Sequence, residues 1–342
     1  MISPAFLSQL RSLLPAHCVL NEREDLLPFE SDGLAAYRNT PDVVALPENE
    51  AQVAAILQLC HANRVAVVAR GAGTGLSAGA LPVDGAVLLV LAKLNRIKQI
   101  DPLARTATVQ PGVRNLAISE AAAQYGLYYA PDPSSQIACS IGGNVAENSG
   151  GVHCLKYGLT VHNILKLRAW TIDGQLLEIG SDALDSPGYD LLALMTGSEG
   201  MLAVITEVTV KLLPRPERAQ VVLAAFDDVA KAGAAVGNII AAGVIPAGLE
   251  MMDRLALQAA EAFVHAGYPA CEALLLCEVD GVNEEVSDDI FTVRAVIEAS
   301  GAIEIRTAES EEQRLKFWAG RKAAFPAVGR LSPDYYCMDG TI

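Results

Sequence analysis

The sequence predicts an α+β protein of two domains, and three observations support this prediction. The chain has 342 residues, which at ~150 residues per domain suggests two domains. Apolar runs and helical patterns fill the first part up to Pro214-Arg215-Pro216, a segment typical of a domain boundary. Beyond it the order is β-α-β-β-α-β, the ferredoxin-like arrangement. We therefore expect a helical lead-in over 1–40, a first domain over 41–215 and a second over 216–342.

The first domain shows clear helix and strand signals. Asn49 is suited to cap a helix, with Gln52 three residues on as in a capping box. The apolar positions of that helix recur at i, i+3, i+4 and i+7: Val53, Ile56, Leu57 and Cys60. A continuous β-branched, apolar run at 65–69 predicts a strand buried on both faces. We expect a second strand buried on both faces at 87–91. Further strands are expected at 106–109, 167–172 and 202–212, and a helix at 115–124 that Gly126 ends in a left-handed cap.

The second domain follows a simpler pattern. We expect strands at 221–226, 247–252, 273–280 and 302–307, and helices at 228–241, 254–265 and 285–300. A last helix is predicted from 311 to about 325, and a final strand at 335–342.

Composition and charge exclude several classes of partner. Lys and Arg number 25 against 40 Asp and Glu, so the formal net charge is 25 − 40 = −15. Binding to nucleic acid or anionic lipid needs a clustered basic surface, so neither is expected. No run approaches the ~20 apolar residues of a membrane helix, and the start lacks a basic leader. The seven cysteines include no C-x-x-C pair. We expect a cytoplasmic protein with reduced cysteines.

A glycine-rich loop follows the strand at 65–69. Residues 70–79 are RGAGTGLSAG, and glycines let successive backbone N–H groups form a concave nest around an anion. The fingerprint G-x-G-x-x-G is not met, because Leu76 holds the third glycine position. Pro82 and Gly85 break any following helix, and no acidic residue occurs between 86 and 100. The loop predicts phosphate binding without a nicotinamide site, and a turn without ligand is the alternative.

A second glycine-rich cluster favours a ligand. Residues 141–144 (IGGN) are suited to open a short helix whose N–H groups point at an anion, and 148–151 (NSGG) follow. Each charge-assisted hydrogen bond to a buried diphosphate offsets ~1.5–3 kcal/mol, so several donors are needed. Two such loops in one domain predict a large ligand that contains a diphosphate.

Five motifs, in this order, resemble a flavoenzyme superfamily. They are residues 70–80 (RGAGTGLSAGA), 131–135 (PDPSS), 139–151 (CSIGGNVAENSGG), 156–158 (KYG) and 197–204 (GSEGMLAV). Together they closely resemble the vanillyl-alcohol oxidase / p-cresol methylhydroxylase superfamily over about residues 35–342. Within it the chain resembles the branch of bacterial glycolate oxidase catalytic subunits and FAD-linked D-lactate and D-2-hydroxyglutarate dehydrogenases. The resemblance implies an FAD-binding domain of two α+β subdomains, a ferredoxin-like cap domain, and oxidation of a small 2-hydroxy acid by hydride transfer to flavin N5.

The resemblance also implies where FAD would bind. The first loop would cradle the diphosphate, and the PDPSS turn would lie along the ribityl chain and flavin. Residues from the 139–151 motif would line the diphosphate and flavin side, and residues 197–205 would close the far side near the ring or the adenine. The residues so implied are Arg70, Gly71, Ala72, Gly73, Thr74, Gly75, Leu76, Ser77, Pro131, Asp132, Ser135, Ile141, Gly142, Gly143, Asn144, Asn148, Gly150, Gly197, Glu199, Gly200 and Ile205. Some members attach FAD covalently through a histidine in the first loop. Here Thr74 stands in a loop without histidine, so we predict non-covalent FAD.

The last predicted helix carries an arginine among apolar side chains. Phe317, Trp318, Arg321, Ala324 and Phe325 share one helical face. A buried guanidinium needs an anion, and its planar fork matches a carboxylate. An arginine whose stem covers apolar surface while its head reaches water is the alternative. The superfamily has a substrate-binding arginine in a Trp-x-x-Arg motif, which Trp318 and Arg321 match.

No residue is assigned as the catalytic base. Surface, packing or helix-end roles suit His17, His61 and His265, and His153 beside the second loop is a candidate flavin contact. Family members carry their catalytic and metal-binding histidines in a C-terminal segment with a Gly-Asp-Gly-Asn motif, which does not occur before Ile342. We therefore expect a C-terminally truncated member and no metal site. Members with larger diacid substrates carry a lysine in the stretch matching 335–342, where Cys337 stands, which favours glycolate or D-lactate.

Two other functions stay open. One is a non-catalytic flavin-binding subunit of a glycolate oxidase-like complex, and the other is an FAD oxidase of another alcohol, such as a phenol or an aldonolactone. The resemblance implies a second flavoprotein-like subunit and an iron–sulfur subunit as partners. Such partners would place the protein at the periphery of the inner membrane.

Overall fold

The chain forms two compact units in the computed structural model, which describes residues 2–181, 188–332 and 336–338. Unit 1 comprises the described residues within 1–150, 159–214 and 336–342, and unit 2 those within 151–158 and 215–335. The chain passes from unit 1 to unit 2 at Pro214 and Arg215, inside the Pro-Arg-Pro segment. The segment Gly151–Gly158 groups with unit 2, although the sequence analysis placed it in the first domain. Within the described ranges, no helix has the length and apolar character needed to cross a membrane.

The first sheet of unit 1 carries the glycine-rich loop at the end of one strand. Strands β1, β2, β4 and β3 lie in that order, with β2, β4 and β3 parallel and β1 antiparallel to β2. The elements are α1 (Pro4–Leu13), α2 (Arg23–Leu26), α3 (Glu50–Asn63), β1 (Val19–Leu20), β2 (Val43–Ala45), β3 (Val67–Arg70) and β4 (Val87–Val90). Helices α1 and α3 contribute Phe6, Leu10, Ile56 and Leu57 to the core. The predicted cap is confirmed, since Asn49 accepts a hydrogen bond from the backbone N–H of Gln52 at 3.0 Å.

The prediction of burial on both faces is right for one strand and wrong for the other. β4 is central and fully buried, whereas most of β3 is half-buried. β3 is the edge strand of the sheet, so only one neighbour covers it.

The second sheet of unit 1 is antiparallel, in the order β5-β6-β10-β8-β9. Its core includes Val109, Ile118, Ile141, Leu167 and Val208. The elements of this part are β5 (Ile97–Asp101), β6 (Thr106–Val109), α4 (Asn115–Ala122), β7 (Leu127–Tyr128), α5 (Ile141–Glu147), α6 (Cys154–Tyr157), β8 (Ile164–Trp170), β9 (Leu176–Gly180), α7 (Leu191–Met195), β10 (Val204–Lys211) and β11 (Leu213–Pro214). Of these, α6 belongs to unit 2, and β7 pairs with β11 as a separate ribbon. The left-handed cap at Gly126 is confirmed by its φ of +68°.

Unit 2 has the predicted β-α-β-β-α-β order. Its antiparallel sheet runs β13-β14-β12-β15, the strand order of a ferredoxin-like domain. The elements are β12 (Arg218–Phe226), α8 (Val229–Ala241), β13 (Gly248–Asp253), α9 (Arg254–Val264), β14 (Ala273–Gly281), α10 (Asn283–Ala299), β15 (Glu304–Thr307), α11 (Glu311–Lys322) and α12 (Ala324–Leu331). One core cluster joins the sheet to α8 and α10, and another joins it to α9 and α11.

The last predicted helix is in fact two helices. α11 ends at Lys322 and α12 begins at Ala324, so Arg321 and Phe325 do not share a helix. Pro326 explains the break, because a proline has no N–H to donate and its ring clashes with the carbonyl four residues earlier. Phe325 is half exposed, which corrects its predicted place on a buried face. Of the strand predicted at 335–342, residues 336–338 lie outside any strand and the others lie outside the described residues.

Candidate functional site

The first glycine loop offers a row of unused hydrogen-bond donors. No described residue accepts a hydrogen bond from the backbone N–H groups of Gly71, Ala72, Gly73, Thr74, Gly75, Leu76 and Ser77. Unpaired backbone donors in a half-buried loop are unfavourable unless water or a ligand satisfies them. Consecutive N–H groups of this kind suit an anion such as a phosphate.

Arg70 holds the shape of this loop from the inside. Its side chain is buried, and Nη1 donates to the carbonyl oxygen of Ala80 at 3.3 Å. Gly73 has a φ of +70°, and a Cβ there would lie 2.3 Å from Arg70 Nη2. Burial lowers the pKa of Arg70, and nearby Asp32 opposes that change. Arg70 therefore closes the loop across its own ends.

The two glycine loops meet at Gly71 and Ser140. A Cβ on Gly71 would lie 2.2 Å from Ser140 Oγ and 3.6 Å from the backbone nitrogen of Gly143. Ser140 is the N-cap residue of α5, but its buried hydroxyl makes no capping bond and has no partner among the described atoms. The N–H of Gly143 also has no described acceptor. These groups extend the donor row of the first loop.

The expectation that the first N–H groups of α5 point at an anion is wrong for two of them. Ile141 donates to the carbonyl of Val113 and Gly142 to the carbonyl of Pro111, each at 2.9 Å. Gly142 is needed for a close approach, since a Cβ there would lie 2.5 Å from Pro111 Cβ. The side chain of Ile141 is fully buried in the core of unit 1. These two residues fix α5, and Gly143 keeps the free donor.

Carboxylates crowd the far end of the first loop. A Cβ on Gly79 would lie 3.0 Å from Glu199 Oε2 and 3.2 Å from Glu147 Oε1. Burial, then the charges of Glu199 and Asp32, raise the pKa of Glu147 above its ordinary value. Negative charge repels phosphate, so the end of the loop nearest β3 is the better place for a diphosphate.

The PDPSS turn is joined to α5 by a buried asparagine. Asn115 Nδ2 donates to the carbonyl of Pro131 at 2.8 Å, and Asn144 Nδ2 donates to Asn115 Oδ1 at 2.8 Å. The carbonyl of Ser135 accepts the N–H groups of Ala138 and Cys139 and so closes the turn. The half-buried Asp132 lies in the same turn. Asn115 is not among the site residues predicted from the sequence, because an asparagine at a helix start is more often only a cap.

The GSEG segment docks against α5 through its backbone. Gly197 donates to the carbonyl of Val145 and Glu199 to that of Ala146, both at 2.8 Å. Gly200, with a φ of +73°, packs near Ala69 of β3, and Gly197 packs near Asn148. Asn148 accepts from the N–H of Val161 at 3.1 Å, and Gly150 ends this part of unit 1. Ile205 is buried in the core with Met195, so its side chain supports the site without lining it.

Asp32 is a further residue that the sequence analysis missed. Its Oδ1 accepts the N–H of Leu34 at 2.9 Å, whereas its buried Oδ2 has no described partner. The next residue, Gly33, approaches the carbonyl oxygens of Thr74 and Gly75, each 2.7 Å from a Cβ built there. An Asp-Gly pair predicts only a turn, so nothing local marked these residues as part of the site.

Arg321 is paired with a carboxylate of its own unit. Its Nε and Nη2 lie 2.9 Å and 2.8 Å from Oε2 of Glu250 on β13. The predicted anion on this arginine is thus partly supplied by the chain. Nη1 has no acceptor among the described residues, and the side chain is 36% exposed. The guanidinium therefore keeps one edge for a ligand.

A buried carboxylate on β14 anchors α11 and α6. Glu278 accepts hydrogen bonds from Arg314 Nη1 at 2.7 Å and from Trp318 Nε1, and its Oε1 lies 3.3 Å from His153 Nε2. Burial would raise the pKa of Glu278, but His153, Arg314 and Trp318 together hold it below its ordinary value. The hydrogen bond to Glu311, followed by the charge of Glu278, raises the pKa of Arg314, although burial acts to lower it. His153, proposed above as a flavin contact, has this carboxylate within unit 2 as a neighbour.

The KYG motif is bound to unit 2 by a second buried carboxylate. Lys156 Nζ donates to Asp280 Oδ1 at 2.8 Å, and the Tyr157 hydroxyl lies 2.8 Å from both oxygens of Asp280. These bonds explain why Gly151–Gly158 groups with unit 2. The sequence carried no signal for them, since more than 120 residues separate the partners.

One group of residues within the described ranges has the spacing of metal ligands. His17, Cys18 and Glu48 place one ligand atom each within 4.8 Å of the others. The ammonium of Lys93 already lies 3.0 Å from Glu48 Oε1 and 3.1 Å from Cys18 Sγ. The chain thus supplies its own cation at this place.

The donor row of unit 1 fits the diphosphate of FAD. It combines unpaired N–H groups, the orphaned hydroxyl of Ser140 and glycines where a Cβ would intrude. A dinucleotide with two phosphate charges needs several such donors together.

Comparison with known proteins agrees with the assignment of FAD to this site. Residues 41–180 match the family described as FAD binding domain, and residues 215–342 match FAD linked oxidases, C-terminal domain. The chain is 64% identical to glycolate oxidase subunit GlcD of Escherichia coli over 98% of its own length and 68% of that protein. Against GlcD of Bacillus subtilis the identity is 39%, covering 92% of this chain and 68% of the relative. The chain thus spans about two thirds of the length of these relatives.

A solved structure shares the fold. p-Cresol methylhydroxylase with bound substrate matches with a TM-score of 0.77 at 18% identity, covering 92% of this chain and 69% of that one. The predicted α+β fold with an FAD-binding domain of this type is confirmed, and so is the prediction of FAD as cofactor. The predicted class, FAD-linked oxidation of 2-hydroxy acids, agrees with the relatives. The chain belongs to the family of FAD-linked oxidases, and it is an FAD-linked oxidoreductase.

Proposed function

We propose that this chain oxidises a small 2-hydroxy acid, glycolate or D-lactate, to the 2-oxo acid. The observation that carries the proposal is Arg321, an arginine on unit 2 whose Nη1 edge has no described protein partner. A guanidinium edge of this kind binds a carboxylate through two parallel hydrogen bonds. A substrate held in this way has its carboxylate fixed and its Cα–H in a defined direction, which is the main contribution that a protein makes to such a reaction.

The residues of unit 1 have a binding role in this proposal. FAD, when bound, supplies the acceptor for the hydride of the substrate. The N–H groups of Gly71 to Ser77, the Gly143 N–H and the Ser140 hydroxyl would hold its diphosphate. Asn115 and Asn144 would keep the PDPSS turn and α5 in register around the cofactor. No described residue is assigned as the base that takes the hydroxyl proton.

The attachment of FAD is proposed to be non-covalent. Thr74 stands in the first loop, where some members of the superfamily have a histidine. A threonine hydroxyl is a much poorer nucleophile than the ring nitrogen of a histidine. Precipitation of the holoprotein with acid should release all of its flavin to the supernatant. Flavin that stays with the pellet would overturn this point.

The size of the substrate follows from the residues around the end of the chain. Members of the superfamily with larger diacid substrates carry a lysine in the stretch matching 335–342, and this stretch has no lysine and carries Cys337. We therefore expect turnover of glycolate or D-lactate and no turnover of D-2-hydroxyglutarate.

Partner subunits are part of the proposal. The E. coli relative is named as a subunit of glycolate oxidase. We propose that this chain binds a second flavoprotein-like subunit and an iron–sulfur subunit, which would take its electrons and place it at the inner membrane. Co-purification of a tagged chain from cells that express such neighbours would support this, and a monomer in every fraction would contradict it.

The test of the function is anaerobic reduction of bound flavin. The 342-residue chain is reconstituted with FAD, and its absorption near 450 nm is followed after glycolate, D-lactate or D-2-hydroxyglutarate is added. Full-length E. coli GlcD serves as the positive control. Bleaching by glycolate or D-lactate is the expected result. A flavin that these acids bleach in GlcD but not in this chain would contradict the proposal for this chain, either because the base lies outside it or because the chain is a flavin-binding subunit without turnover.

A further inference from the structure

Helix α11 presents one polar stripe to the sheet of unit 2. Arg314, Trp318 and Arg321 follow one another at i, i+4 and i+7, so they lie on the same side of the helix. Two carboxylates on neighbouring strands of the sheet bind this stripe. The register pairs Gly248 with Glu278 and Glu250 with Leu276, which places both glutamates on the same face.

The two glutamates bind different residues of the stripe. Glu278 accepts hydrogen bonds from Arg314 and Trp318, is almost fully buried, and fixes the helix itself. Glu250 binds Arg321 alone, through the single oxygen Oε2. The side chain of Glu250 is 22% exposed and that of Arg321 is 36% exposed, so this pair lies where a solute can reach it.

The geometry of the pair leaves a defined edge open. A guanidinium has a side edge, formed by Nε and one terminal nitrogen, and an end edge, formed by its two terminal nitrogens. Glu250 Oε2 bridges the side edge through Nε and Nη2. Nη1 has no described acceptor, so the end edge is available for the two parallel hydrogen bonds of a second carboxylate.

We infer that Glu250 is a positioning residue, which holds Arg321 by its side edge so that the end edge faces the carboxylate of the substrate. This inference rests on the proposed function and deepens it. Arginine has a long side chain with much rotamer freedom, and anchoring it in advance removes an ordering cost from substrate binding and from the reaction step. The negative charge of Glu250 also repels further anionic groups on a ligand, so the site selects a monocarboxylate.

The test compares two neutral replacements of similar size. Glu250→Gln keeps an acceptor oxygen for Arg321, whereas Glu250→Met has none and leaves no cavity. Both remove the same charge, so their difference measures the anchor alone. We expect E250Q to bleach with glycolate at a rate at least about tenfold above that of E250M, with a smaller difference in the glycolate concentration at half-maximal rate.

A matched control uses an ion pair that the proposal does not involve. Glu304 on β15 lies 2.6 Å from Arg306 Nε on the surface of the same unit. E304Q and E304M should bleach at the wild-type rate. Thermal unfolding of all four variants without FAD reports whether each one folds, and E250L replaces E250M if that variant does not.

Equal bleaching rates for E250Q and E250M would overturn the inference, because the acceptor oxygen would then have no effect. Rates above wild type for both variants would also overturn it, since Glu250 would then block the arginine. A second readout does not need turnover. By calorimetry, oxalate, an unreactive dicarboxylate, should bind E250Q more tightly than E250M, because neither neutral variant repels its second charge and only E250Q anchors Arg321. If wild type is not bleached but the oxalate difference is present, the proposed oxidation fails while the role of Glu250 stands.

Discussion

Gly142 lets α5 approach Pro111 closely, and its replacement by alanine should loosen the cofactor cradle. The new Cβ would lie 2.5 Å from Pro111 Cβ and 3.1 Å from the Cα and carbonyl oxygen of the same residue. Carbon atoms pack at ~3.5–4.0 Å, so α5 must move by about 1 Å. Overpacking of this kind costs ~1–3 kcal/mol, and the better helix propensity of alanine offsets ~0.5–1 kcal/mol. The net loss is then ~0–2.5 kcal/mol, centred near 1 kcal/mol, or a Tm lower by ~2–4 °C.

Gly143→Ala is the matched control one residue along the same helix. A Cβ there meets only Ser140 Oγ, at 3.3 Å, within 4 Å. Its Tm without FAD should equal or exceed that of wild type, because alanine favours the helix. The methyl group would stand beside the free Gly143 N–H, so the Kd for FAD should rise at least about tenfold, a loss of ~1.4 kcal/mol.

Thermal unfolding without FAD and a flavin fluorescence titration measure these two effects separately. A G142A variant more stable than wild type would show that the contact with Pro111 is not tight. A G143A variant that binds FAD normally would refute the assignment of the Gly143 N–H to the cradle.

Further predictions concern the buried charges and Arg321. Glu278→Ala should lower the Tm strongly, since removing one partner of a buried ion pair costs ~3–5 kcal/mol; a change below 1 °C in a calorimetric scan would contradict this. The pKa of Glu278 is lowered on folding, so its stabilising effect is present above the ordinary pKa near 4.5 and is lost as the pH falls below that value. The Tm difference between wild type and E278Q should therefore shrink from pH 6 to pH 3. The pKa of Glu147 is raised, so its carboxyl contributes most to stability below the ordinary value near 4.5 and loses that contribution as the pH rises. E147Q should thus raise the Tm of FAD-free protein at pH 7.5 and have little effect at pH 4, and the reverse order would refute the sign. Arg321→Lys should lower the bleaching rate with glycolate by at least about tenfold, because a lysine cannot form the bidentate pair; an unchanged rate would remove Arg321 from the site.

Local signals in the sequence predicted local structure well. Asn49 caps its helix, Gly126 adopts the left-handed cap, and residues 141–144 open a short helix, because each depends on residues within a few positions. The break after Lys322 also has a local cause in Pro326, which the helical pattern of apolar residues concealed.

Features set by tertiary packing were not predictable in the same way. The strand at 65–69 is apolar whether it lies at the centre or at the edge of a sheet, and only the pairing order decides its burial. Glu250 lies 71 positions before Arg321, and Glu278 lies 125 positions after His153. No spacing rule links such partners, so the sequence predicted the need of Arg321 for an anion without predicting which anion.

The absorption spectrum of the FAD-reconstituted chain, recorded before and after anaerobic addition of glycolate or D-lactate, tests the proposed oxidation. We expect an oxidised flavin spectrum that bleaches with one of these acids. A protein that binds no FAD would contradict the cradle formed by the two glycine loops. A bound flavin that neither acid bleaches would contradict the proposed oxidation of a 2-hydroxy acid.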